Sequence, residues 1–149
     1  MSTIPDVIER EITVHAPQEK VYAAITDPAQ IIKWFPDGVE GGLEAGSQPI
    51  FDFGEYGKTQ LYIEDAKPYE YFSYSWVPGG DGGNTFYGDV RTVPHTLVEF
   101  FISTVGEETK VTVKESGFST MPAEVLEQKF KDNSEGWTYM MDRLAKLFA

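Results

Sequence analysis

Glu115 and Arg10 are the residues of this chain whose type and placement best suit acid–base chemistry. In the run 109–117, Glu115 shares the parity of Val111 and Val113, so a strand there turns its carboxyl toward the covered face. A buried carboxyl has a raised pKa and can serve as a general base or as a polar anchor. Arg10 shares the parity of Ile8 and Ile12 and is placed to pair with it. Two plainer outcomes stay open: twist or a bulge near Gly117 turns Glu115 outward, or the two residues form a structural ion pair. His15 and His95 have no partner at metal or triad spacing, and neither His-Glu-x-x-His nor Gly-x-Ser-x-Gly occurs. The absence of cysteine excludes thiolate zinc sites, iron–sulfur clusters and a cysteine nucleophile. The glycine-rich stretch 79–83 lacks the Lys-Ser/Thr of a phosphate cradle, and Asp81 with Asn84 does not make a calcium loop. No residue is therefore assigned a catalytic role, and no metal or other cofactor is expected. An enzyme built here would have only Glu115, Arg10, Asn133 and the tyrosines for proton transfer.

A second group of residues suits binding. In the run 70–77, Phe72, Tyr74 and Trp76 share one face. Phe51 and Phe53 share a face one strand earlier, and Trp34 with Phe35 are placed to close one end. In the run 95–104, Val98, Phe100 and Ile102 alternate with Leu97, Glu99 and Phe101, which leaves the inward set open; Phe100 is carried as a candidate. Phe118 lies at the exit of the last strand. Phe130, Trp137, Met140 and Met141 recur at helical spacing near the C-terminus. Such stripes ordinarily fill a core. Asn133, Ser134 and Gly136 interrupt this one, and a polar amide facing a dry interior is costly unless bonded, while small residues leave volume. The expected site is thus a pocket of aromatic rings with a few polar tips, including Glu115 and Asn133, holding a small apolar or aromatic molecule.

These side chains need elements to carry them. Alternation over 8–15 predicts a first strand. Pro17 and Asp27-Pro28 open two short helices, the second ending at Pro36-Asp37-Gly38. Residues 38–118 read as β throughout, with strand-like runs at 48–53, 59–66, 70–77, 95–104 and 109–117 joined as consecutive antiparallel hairpins. Part of the glycine-rich stretch 79–94 is expected to be a mobile loop. Pro122 opens a last helix of roughly 27 residues, about 40 Å long. It is the only element long enough to cover one face of such a sheet, so a curved antiparallel sheet wrapped round it is the expected α+β architecture.

At 149 residues the chain suits a single domain over 1–149. Twelve Lys/Arg against 24 Asp/Glu give a net charge of −12, with the basic residues scattered, so nucleic acid is not an expected partner. No apolar run approaches the ~18 residues of a membrane span; the opening residues have neither the basic nor the apolar region of a secretory leader, so none is expected, and a cytoplasmic location is expected.

Several stretches resemble the AHSA1-like family (activator of Hsp90 ATPase homologue) of the START-like/SRPBCC helix-grip superfamily. They are Ala16-Pro17-Gln18-Glu19-Lys20-Val21-Tyr22-Ala23-Ala24-Ile25-Thr26-Asp27-Pro28 with Trp34-Phe35, Thr96–Phe100, Thr109–Phe118, and Gly136-Trp137 with Asp142-Arg143-Leu144. The resemblance implies a helix-grip fold with a hydrophobic cavity between sheet and last helix. It implies less about activity, since one fold hosts unrelated functions. Its name suggests a chaperone, Hsp90, as a further partner, and related helix-grip proteins include cyclases, dehydratases and hydrolases of polyketide-like substrates.

Overall fold

A computed structural model of the protein describes residues 6–78 and 85–149. The glycine-rich segment expected to be a mobile loop lies partly outside these residues. Strand β1 (Val7–Val14) leads into helices α1 (Gln18–Thr26) and α2 (Pro28–Ile31). Strands β2 (Gly38–Glu40), β3 (Ile50–Asp52), β4 (Lys58–Gln60), β5 (Tyr62–Lys67), β6 (Tyr71–Trp76), β7 (Thr96–Val105) and β8 (Glu108–Ser116) follow, and helix α3 (Ala123–Leu147) ends the chain. The architecture is α+β, a helix grip in which the antiparallel sheet holds α3.

The main sheet runs β1-β8-β7-β6-β5, so the hairpins from β5 to β8 are consecutive and the first strand pairs with the last. Strands β2-β3-β4 form a second sheet. The expected strand 59–66 is therefore two strands. The break falls at Leu61, between β4 of the second sheet and β5 of the main one; the Leu61 N–H to the Pro49 carbonyl at 2.8 Å and the Ile63 N–H to the Ser47 carbonyl at 2.9 Å carry the β3–β4 register on past that point. Residues 38–118 are also not β throughout, since short 3-10 turns occupy Gly54–Tyr56 and Val90–Thr92. Each holds an aspartate at its start: Asp52 Oδ1 accepts from the Gly54 N–H at 2.8 Å and Asp89 Oδ1 from the Arg91 N–H at 3.0 Å. The second helix is shorter than expected and stops at Ile31. Its start follows the sequence signal, with Asp27 Oδ1 accepting from the Ala29 N–H at 2.9 Å ahead of Pro28.

Strand alternation decides which side chains face α3. In β7 the inward set is Thr96, Val98, Phe100 and Ile102, and in β8 it is Thr109, Val111, Val113 and Glu115. Pairing aligns Ile8, Glu115, Val98, Tyr74 and Ile63 in one row across five strands. Glu115 is thus the one charged group in a row of apolar and aromatic neighbours. Gly117 ends β8 with φ of +99°, a conformation that favours glycine, so the chain turns after Glu115 rather than before it. From α3, Asn133, Trp137, Met141 and Leu144 face the sheet at spacings of four, four and three. Arg10 fastens β1 to this helix: its Nη2 donates to Ser134 Oγ at 2.7 Å and its Nε to Thr138 Oγ1 at 3.0 Å.

Candidate functional site

A cleft of about 460 Å³ opens between the middle of α3, the β3–β4 turn and the end of β6. Six aromatic rings line it, and four of them pack together around Phe35. Phe35 lies 5.5 Å from Phe53, 5.8 Å from Trp76 and 5.3 Å from Trp137, centroid to centroid, and the two indoles are 6.1 Å apart. Phe35 is held by stacking on Trp34 at 5.2 Å, and the buried Trp34 Nε1–H donates to the Ala24 carbonyl at 2.8 Å. The 3-10 turn after β3 sets Tyr56 at the mouth, 57% exposed. Helix α3 contributes Asn133, Gly136, Trp137 and Met140, one face at spacings of three and four, with Asp132, Glu135 and Tyr139 beside them. A Cβ added at Gly136 would meet no atom within 4 Å, so the helix borders open space there. Thr59 of β4 completes the wall; it is 8% exposed and its Oγ1 has no hydrogen-bond partner among the described residues.

Glu115 lies behind this wall, 1% exposed. Trp76 Nε1–H and Trp137 Nε1–H each donate to it at 2.8 Å, Thr96 Oγ1–H donates at 2.5 Å, and Asn133 Nδ2 donates to both carboxyl oxygens at 2.9 and 3.0 Å. Two indoles, an amide and a hydroxyl from β6, β7 and α3 thus converge on one carboxyl of β8. The costly polar groups on the helix stripe and the buried indoles find their partner here. The pairing with Arg10 weighed from parity is not formed, because Arg10 turns along α3 to Ser134 and Thr138.

Burial pushes the Glu115 carboxyl above its ordinary value, and the hydrogen bonds from Thr96, Trp76, Trp137 and Asn133 oppose that rise. The folded chain therefore binds this proton more readily than the unfolded one. The stability linked to it is fully present below the ordinary carboxylate range and is lost as pH rises through the folded-state value. Thermal unfolding across pH should show the advantage of the native protein over Glu115→Gln largest at the acid end, shrinking upward and then level. An advantage that grows with pH would mean that the fold prefers the ionised form.

Tyr74 Oη is the other buried polar atom without a partner among the described residues. Burial, then the neighbouring Glu115, raises its pKa well above the phenol value. Removing an unsatisfied buried hydroxyl removes its desolvation penalty. Tyr74→Phe is expected to raise unfolding stability by about 1 kcal/mol; a loss of similar size in denaturant titrations would show that the hydroxyl is satisfied in solution.

The candidates read from the sequence divide between cleft and core. Phe35, Phe53, Trp76, Asn133, Trp137 and Met140 line the cleft. Trp34, Phe51, Phe72, Tyr74, Phe100, Phe118 and Met141 are buried in the core, and Phe130 packs edge-on against Phe118 at 5.1 Å, away from the cleft. The physical reason is that Phe35 and Trp137 reach into the core: Trp137 lies 5.8 Å from Phe100, and Phe35 lies 5.7 Å from Phe51, which in turn lies 6.0 Å from Tyr74. The rings deep in the grip interlock, and the space left lies to one side. Tyr56, Gly57, Thr59 and Val77 were missed because their approach depends on how the second sheet folds over the first. Asp132, Glu135 and Tyr139 flank Asn133 and Gly136 on the helical wheel, and that spacing was available to find them.

Comparison with known proteins places these features in context. The profile of the family described as Activator of Hsp90 ATPase homolog 1-like protein matches residues 15–149. Among curated proteins none matches the chain. Among solved structures, protein MLL2253 from Mesorhizobium loti superposes with a TM-score of 0.76 at 18% identity, covering 95% of both chains. The Aha1 dimer from Colwellia psychrerythraea gives 0.74 at 20% identity, again over 95% of both. DynU16, from the dynemicin biosynthetic locus, gives 0.74 at 22% identity over 96% of this chain, which spans about half of that one (47%). At these identities the structural likeness speaks for the fold.

Proposed function

The chain belongs to the activator of Hsp90 ATPase homolog 1-like family, and on that premise we propose that it is a binding protein that holds a small aromatic or apolar molecule between the sheets and α3. The observation that carries this reading is the cleft itself. Its volume of about 460 Å³ falls within the ~300–1,000 Å³ of small-molecule sites, and such sites are walled by apolar rings with a few polar groups. Glu115 supports binding rather than turnover. Both its oxygens are engaged by side-chain donors, and it stands behind Trp76, Asn133 and Trp137 rather than on the wall. A general base must come within hydrogen-bond reach of the proton it takes, and here the indoles intervene. Among the described residues, no group of three or more His, Cys, Asp or Glu is arranged to hold a metal ion, and no helix is long and apolar enough to cross a membrane.

The reading is tested by thermal unfolding against a panel of aromatic and alkyl compounds. A guest at a hundredfold its Kd stabilises the fold by about 2.7 kcal/mol, which shifts Tm by several degrees. No shift with any apolar class would contradict the proposal. The family's description also supports a chaperone contact; stimulation of an Hsp90 ATPase by the purified protein would establish it, and capture without stimulation would not.

A further inference from the structure

We propose that the guest of this cleft is an organic cation, an aromatic or alkyl ammonium whose charged head rests against the faces of Trp76 and Trp137. The inference rests on the cleft being the binding site and adds the charge of what it takes.

The lining contains two carboxylates, Asp132 and Glu135, and no lysine, arginine or histidine. Asp132 Oδ1 accepts from Gln128 Nε2 at 2.8 Å, which leaves its charge in place. Phe35, Phe53, Trp76 and Trp137 offer ring faces, and aromatic faces attract cations, tryptophan most strongly. Glu115 strengthens that attraction from behind. It accepts the N–H of both indoles, and a hydrogen bond to a carboxylate polarises its donor, shifting electron density into the rings that line the cleft. No basic side chain among the described residues bonds to Glu115, since Arg10 is committed to Ser134 and Thr138. A cation in the cleft would instead face the carboxylates of its own wall, Asp132 and Glu135. Two cations near the site have partners of their own: Arg143 lies over Tyr139, on the flank of the cleft, at 5.9 Å, and Lys58 pairs with Glu40 at 3.6 Å.

Thr59 supplies an independent sign of a guest. The residue lines the cleft, and its hydroxyl, more than nine-tenths buried, has no partner among the described residues. A buried hydroxyl left unsatisfied is costly, and a turn of the Thr59 side chain toward the cleft would let an ammonium N–H satisfy it. An anionic guest would meet Asp132 and Glu135 at close quarters, and a neutral apolar one would leave their negative charge unanswered.

An isosteric series separates these cases. The full chain is titrated at pH 8 and low salt with benzyltrimethylammonium, its neutral carbon isostere neopentylbenzene, and phenylmethanesulfonate, followed by tryptophan fluorescence and calorimetry. The cation is expected to bind at least tenfold more tightly than the neutral isostere, and the anion should not saturate. In Asp132→Asn/Glu135→Gln, which alters only the outer wall, the preference for the cation over the neutral isostere should shrink several-fold. Equal or tighter binding of neopentylbenzene would overturn the charge assignment while leaving the cleft as an apolar site. Failure of all three compounds to bind would overturn the charge assignment and count against the cleft as well.

Discussion

Replacing Glu115 by alanine should cost the fold about 4 kcal/mol or more, the largest effect expected of any single substitution here. The carboxyl is the shared acceptor of Trp76, Trp137, Thr96 and Asn133. Its removal strands two indole N–H groups, an amide and a hydroxyl in an interior that offers them no water, and each stranded group costs roughly 1–3 kcal/mol. Even with partial relaxation the total is a large part of the ~5–15 kcal/mol that holds a domain together. Glu115→Gln keeps the volume and one oxygen acceptor but presents an N–H₂ to a ring of donors, so it should fall between alanine and the native protein. Denaturant titration reads this as a lower midpoint at unchanged slope. An alanine variant within 1 kcal/mol of native would show that the network does not bind β8 to α3, and that the tryptophans find other partners.

Gly136→Leu should have the opposite profile, a protein as stable as the native one that no longer binds. Glycine inside a helix costs about 1 kcal/mol relative to alanine, and an added Cβ at this position touches nothing. Helix stability should therefore be unchanged or slightly higher. The leucine branches, however, enter the open space beside Asn133, Trp137 and Met140, where a guest would lie. Thermal unfolding together with a fluorescence titration of an aromatic ligand should show native-like Tm and at least a tenfold loss of affinity. Native affinity in this variant would place the guest somewhere other than the cleft.

Much of this arrangement was legible in the sequence, and the reasons for the remainder are specific. Alternation in β8 put Glu115 on the same side as Val111 and Val113, and the helical stripe put Asn133 and Trp137 on one face of α3. Those are local periodicities, which the chain states directly. What joins them is not local. Trp76 and Glu115 are 39 residues apart, and their contact depends on the β6–β7–β8 register, in which Trp76 stands opposite Thr96 and Val98 opposite Glu115. Parity alone allowed Arg10 as the partner of Glu115. The register placed Arg10 opposite Val113, and its long side chain reached the surface of α3 instead.

The cleft lies to one side of the expected wall for a related reason. Reading Phe72, Tyr74 and Trp76 as one inward face was sound, since all three are buried. Treating the whole face as a wall overlooked what Phe35 and Trp137 do. They fill the deep end and leave space beside Phe53, Trp76 and the turn around Gly57. That turn belongs to the second sheet, which the chain leaves for the main one at Leu61, and nothing in the alternation of 59–66 marks such a break. The aromatic content suggested a pocket; the packing among the rings determined where it could be.

The central claim is that a guest sits against Trp76 and Trp137, and the three tryptophans allow it to be tested directly. Each indole N–H gives its own proton–nitrogen resonance. Those of Trp76 and Trp137 bond to Glu115 at the cleft, while that of Trp34 bonds to the Ala24 carbonyl in the core. Titration with an aromatic ligand should shift the Trp76 and Trp137 signals together along one saturable curve and leave Trp34 in place. Signals that stay still at saturating ligand, or a Trp34 shift as large as the other two, would contradict the account.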